Sequence, residues 1–241
     1  MVKANYFTPL IMRAICLFLL SSFLLLVSCT QEYVISGNSD ISMHDGKTIY
    51  LRESQIRNQT HDIDSCTVQH GRFTFCGKTD TVMMVGLYMG AERVMPMVLE
   101  GGDVTIEISH LRTRLSGSRY NEKLNKFLAD RNKILVKQDQ LRRKCIEMLY
   151  RGSSEGEIDR EITKPSVKLV KKLEKVESDF IKENFDNALG PGCFMWFFGQ
   201  YPVPVITPQI QNILDGTPDS FKSHPYIREY IHRAKHTINH Q

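Results

Sequence analysis

The chain is 241 residues long and carries 31 Lys and Arg against 27 Asp and Glu, a net charge of +4. Two of those cations, Lys3 and Arg13, lie in an N-terminal segment expected to be removed, which leaves 29 against 27. The pI near 8.7 is therefore no argument for nucleic acid, and no Lys/Arg-rich block or basic strip interleaved with aromatics occurs. The six cysteines include no C-x-x-C pair, which excludes a thioredoxin-type redox motif and a zinc ribbon.

Lys3 and Arg13 precede an apolar run from Ala14 to Val27, interrupted only by Ser21 and Ser22. A positive start, a short apolar stretch and a small residue at its end make a signal peptide over residues 1–28. About 15 residues rise roughly 22 Å as a helix, short of the ~30 Å hydrocarbon core, so spanning is disfavoured. The run closes on Leu26-Val27-Ser28-Cys29, which resembles the lipobox of bacterial lipoproteins. That resemblance implies cleavage between Ser28 and Cys29 and acylation of the Cys29 thiol. Two or three acyl chains, at about 0.8 kcal/mol per buried methylene, would hold the mature chain durably at a membrane. Thr30, rather than Asp, follows the acceptor, which leans toward the outer membrane.

From residue 29 to 116 the pattern is that of a β domain. Alternating runs occupy Tyr33–Ser36, Thr48–Arg52, Asp62–Val68, Arg72–Cys76, Thr81–Met89, Val94–Leu99 and Val104–Ser109. The turns between them include Asp45-Gly46, His70-Gly71 and Glu100-Gly101-Gly102-Asp103. Seven short strands without intervening helical periods predict an antiparallel sandwich or barrel. A two-residue loop at His70-Gly71 would set Val68 opposite Phe73 and Cys66 opposite Phe75. Cys66, Val68, Phe73 and Phe75 then share the core face and Cys76 the other, so no 66–76 disulfide is expected. Asp62 and Asp64, two apart on a strand, would lie on one face.

At Ser116-Gly117-Ser118 the period changes, opening a helical hairpin over 117–190. Leu124, Phe127, Leu128, Ile134, Leu135, Leu141, Cys145, Met148 and Leu149 recur at three-to-four spacing up to Arg151-Gly152. A second stripe holds Ile158, Ile162, Leu169, Leu173, Val176, Phe180 and Phe185, with Ser154 and Glu157 spaced as a capping box. Pro165 should kink this helix or mark its true start. Ala188–Gly192 reads as a helix break, and 191–241 as an apolar segment with short helices. These run from Pro208 to Leu214, capped by Thr207, and over about Pro225–Ile238. The fold class expected is thus α+β: sandwich, helical hairpin, short C-terminal helices.

Ile63-Asp64-Ser65, Gly71–Phe75 with Gly77, Val98–Ile106, Leu115–Ser118 with Asn121, and Phe180–Asn184 occur in this order. Together they resemble domain of unknown function 4369 of exported bacterial lipoproteins, over about residues 30–190. In that family the domain commonly precedes a thioredoxin-like domain. Here the chain ends at Gln241 without a W-C-x-x-C stretch, so no redox residue carries over; fold, export and anchoring are what the resemblance implies.

Other motifs weigh less. Gly152–Gly156 fits G-x-S-x-G, but a helix rather than a strand precedes it, and Ser154 is already explained as a cap. His232, His236 and His240 share a helix face at metal-chelating spacing but read as a solvated terminus, and no metal or cofactor is expected. Asp80-Thr81-Val82 resembles an O-glycosylation acceptor of some exported proteins. Trp196, Phe197 and Phe198, within the apolar run 193–198, are the candidate partner surface if they do not close the core. The reading is a membrane-anchored, non-catalytic binding or accessory module, with an envelope protein as partner. The alternative is an accessory of a thiol-disulfide or peroxide system acting with a separate thioredoxin-like protein.

Overall fold

The computed structural model describes residues 31–54, 60–110 and 113–238, so Ser28, Cys29 and His240 lie outside it. Eight strands come first: β1 Gln31–Ser39, β2 Thr48–Ser54, β3 Thr60–Thr67, β4 Arg72–Thr79, β5 Met83–Met89, β6 Glu92–Leu99, β7 Gly102–Ile108 and β8 Thr113–Ser116. They form two four-stranded sheets, ordered β4-β1-β7-β8 and β3-β2-β5-β6. Between them lies a core that includes Ile35, Phe75, Leu51, Leu87, Met97 and Ile106, each 1% exposed or less.

Burial along the strands shows why three layers result. β1 and β7 alternate between buried and exposed residues, as strands with one wet face do. The last five residues of both β5 and β6 are buried without alternation, because helices cover the outer face of their sheet. Val98 points into the helical core while its neighbours Met97 and Leu99 point into the sandwich.

The structure corrects the strand expectations at three places. β1 pairs with β7 in parallel, so the sandwich is not wholly antiparallel. The His70-Gly71 turn forms as expected, with φ of +51° and +73°, the two positive values of a type I′ loop. Its arms then diverge after the single Gln69–Arg72 bridge: Cys66 pairs with Ile49, and Phe75 with Ile35 in the other sheet. The turn therefore rounds a corner of the sandwich, and the expected pairing of Cys66 with Phe75 does not exist. The thiols still face apart: Cys66 packs against the core, Cys76 is exposed, and both are free. Third, a bulge at Ile63 lets Leu51 oppose Asp64 while Arg52 opposes Asp62. The extra residue flips the alternation, so the two carboxylates lie on opposite faces.

The helical half follows: α1 Arg119–Tyr150, α2 Glu155–Ile158, a π segment Asp159–Thr163, α3 Lys164–Glu183, α4 Leu189–Phe198, α5 Pro208–Asp215, α6 Asp219–Lys222 and α7 Pro225–Ile238. Ser154 and Glu157 form the capping box, and Thr207 caps α5 through the Ile210 amide. Pro165 sits in the first turn of α3, just after the π segment. The extra residue per turn there absorbs the proline's missing donor and bulk. Phe185 lies beyond α3 and is exposed, so it leaves the predicted stripe. Ala188–Gly192 does not break a helix but begins one: Pro191 occupies the first turn of α4, where an amide is unpaired anyway. The actual break is Asn184–Ala188, where the Asn184 side chain donates to the Phe180 carbonyl.

Among the described residues no helix is long and apolar enough to cross a membrane.

Candidate functional site

The helical half meets the β3-β2-β5-β6 sheet through α4, and Trp196 stands at the centre of that seam. Gly86, on β5, makes the close approach possible: a Cβ there would come within 2.4 Å of the Tyr88 ring and 2.7 Å of Trp196. Tyr88 meets Trp196 edge-on, with centroids 6.4 Å apart. Arg93, from the start of β6, lies over the indole with its guanidinium carbon 3.5 Å from the ring centre. It donates to the Gln200 side chain at 2.6 Å and to the Trp196 carbonyl at 3.0 Å. Burial pulls the Arg93 guanidinium below its ordinary value. The row continues along the sheet: Arg52 stacks 4.1 Å from the Tyr50 ring centre and 5.2 Å from Tyr88, and pairs with Asp62 at 2.5 Å. Two cations, Arg52 and Arg93, thus flank the Tyr88–Trp196 ring pair.

Trp196 walls two concavities. On one side is a cavity of about 90 Å³, lined by Glu53, Met84, Met195, Trp196, His224 and Tyr226 among others. The Tyr226 hydroxyl donates to the Glu53 carboxylate and so ties the start of α7 to β2. Burial first, then Glu53, pushes the phenol up. His224 is held below the usual imidazole range by burial, and its Nδ1 is buried without a hydrogen-bond partner. Small-molecule sites run to roughly 300–1,000 Å³, so this cavity suits a few waters rather than a metabolite. The phenol is already committed to Glu53. On the other side of Trp196 runs an open groove of about 700 Å³ between β6 and α1, lined by Pro96, Arg114, Leu128, Arg131, Trp196 and Phe197 among others. β6 is an edge strand, and Pro96 removes one donor from that edge, a common guard against unwanted strand pairing. Arg131 stacks on Phe197 at 4.6 Å and binds Glu177 at 2.7 Å.

Of the sequence-derived candidates, Trp196 and Phe197 line this seam and Asp62 joins it through Arg52; the other described ones lie elsewhere. Of the proposed partner surface, Phe197 and Phe198 are 8% and 6% exposed and belong to the helical core; Trp196 alone stays partly open. Ser154 serves as a helix cap, with no strand before it. Asp64 accepts from the Tyr33 hydroxyl at 3.3 Å and from the Ser65 amide at 2.7 Å, a structural role. Thr81 lies exposed on the bend between β4 and β5. His232 and His236 are brought together on the exposed side of α7. Arg93, Tyr88, Glu53 and Tyr226 carry no signal in the sequence, because their partners lie up to 173 residues away and no local pattern marks them; His224 reads there only as one of several scattered histidines.

Two stacked sheets covered on one side by a helical layer define an α+β module with an open polar face. Residues 33–124 match the family model described as "Domain of unknown function (DUF4369)", and this segment is a domain of that family. The match runs from β1 into the first turns of α1. Comparison with curated proteins and with solved structures gave no match.

Proposed function

We propose that the chain is a lipid-tethered, non-catalytic binding or accessory module of the cell envelope, held at the outer membrane through Cys29. The observation that carries the tether is Leu26-Val27-Ser28-Cys29 at the end of a short apolar run. The fold adds a geometric consequence, since β1 begins at Gln31, two residues after the acceptor. Two residues span at most about 7 Å, so the Gln31 end of the sandwich would rest against the headgroups. The groove beside Trp196 is the surface that suits an envelope partner, combining apolar walls with Arg114 at its rim. Two of the four described thiols, Cys66 and Cys193, are poorly placed for the redox alternative. Burial pushes Cys66 up to about 11 and drives Cys193 upward as well, which leaves little reactive thiolate at neutral pH.

Replacing Cys29 by Ser should move the protein from the membrane pellet to the soluble fraction, and intact mass of the wild type should show acyl chains. A Cys29→Ser variant that still sediments after an alkaline wash overturns the tether. The binding role has its own test. A photocrosslinker at Asn132, in the groove, should give a discrete heavier species in intact membranes, whereas one at the exposed Lys171 on α3 should not. Equal labelling at both positions, or at neither, removes the groove as the partner surface.

A further inference from the structure

α7 packs Ile227, Tyr230 and Ala234 into the helical core, each 0% exposed, which fixes the helix against the body of the protein. On its solvent side His232 and His236, one turn apart, place their Nε2 atoms 3.0 Å from each other, with ring centres 4.3 Å apart at 60°. Two imidazoles bound to one ion at about 2.0–2.1 Å, with angles between about 90° and 109°, hold their nitrogens roughly 2.8–3.4 Å apart. The observed spacing falls inside that range before any ion is added. We infer that His232 and His236 form a two-imidazole site for a first-row divalent transition ion of the Zn²⁺ or Ni²⁺ class.

Without an ion, the 3.0 Å contact is a hydrogen bond in which one Nε2 donates and the other accepts. On binding, the donor ring passes that proton to its own Nδ1 through solvent, which frees both Nε2 lone pairs for one ion. Both side chains are exposed, so the ion needs no path through the protein. Arg228, Arg233 and Lys235 lie on the same helix, and the charge of Arg233 is offset by its ion pair with Glu229. Two protein ligands leave the remaining coordination positions to water or to a ligand from another molecule. The inference is independent of the anchoring and of the groove.

The test is titration calorimetry of the full-length chain in detergent, with its thiols alkylated and Ni²⁺ and Zn²⁺ as the probes. The wild type should bind one ion per chain, and saturation should raise its melting temperature. His232→Ala or His236→Ala should weaken binding at least about tenfold, and the double variant should abolish it. Both residues are exposed, so ion-free circular dichroism of the variants should match the wild type. A wild type that binds no ion, or a folded double variant that binds with undiminished affinity, overturns the site.

Discussion

Asn121→Ala should cost the protein about 2–6 kcal/mol, although the side chain removed is small and polar. Asn121 is 0% exposed. Its Oδ1 accepts from the Val98 amide at 2.8 Å and its Nδ2 donates to the Val98 carbonyl at 2.8 Å. The amide thus acts as the strand that β6 lacks on its free edge, and it fastens the first turn of α1 to the sheet. Val98 is also 0% exposed, so truncation leaves its amide and carbonyl buried without partners, at about 1–3 kcal/mol each. Asn121→Asp keeps an acceptor for the amide but turns a second oxygen toward the carbonyl, and it should be no better tolerated than alanine. Urea denaturation followed by far-UV circular dichroism measures the cost. An alanine variant within 0.5 kcal/mol of wild type would show that water takes over both groups.

Asn121 also shows how far the residues announce the structure. Its neighbours Ser116-Gly117-Ser118 mark the entry to α1, and the Ser118 hydroxyl caps the helix as that pattern suggests. Nothing local says that the asparagine three residues later serves a strand 23 residues earlier. The same division holds throughout. Strand alternation, the His70-Gly71 turn and the Ser154–Glu157 box depend on contacts a few residues apart, so they are legible. The parallel β1–β7 pairing, the parting of β3 from β4 and the Ile63 bulge depend on which sheet each strand joins. β8, at four residues, is too short to show strand alternation. Gly190-Pro191-Gly192 is ambiguous in sequence, because proline and glycine mark both the ends and the first turns of helices. The seam was the least legible part. Arg93 reaches Trp196 across 103 residues, and only the packing allowed by Gly86 brings cation and indole together.

Phe194→Ala should be about as costly, roughly 3–5 kcal/mol, for the opposite reason: it removes apolar contact and leaves a cavity. Phe194 is 0% exposed and meets Phe198, Tyr230 and Phe221 edge-on, with centroids 5.1, 5.2 and 6.1 Å away. Those rings come from α4, α7 and α6, so one side chain joins three helices that are otherwise short. Phe194→Leu refills most of the volume and should recover more than half the loss. Tyr150→Ala, at a residue 90% exposed at the end of α1, should change stability by no more than about 0.5 kcal/mol. The β3-β2-β5-β6 sheet is shared by both cores, Val98 facing one and Met97 the other. Loss of the helical core therefore strips one face of that sheet, and the whole molecule should unfold in a single transition. The chain's one tryptophan, at the seam, makes this measurable: its emission and the far-UV signal should change at the same denaturant concentration in wild type and variant. If the tryptophan signal is lost first while strand signal persists, the sandwich stands without its helical cover, and the shared sheet does not couple the two halves.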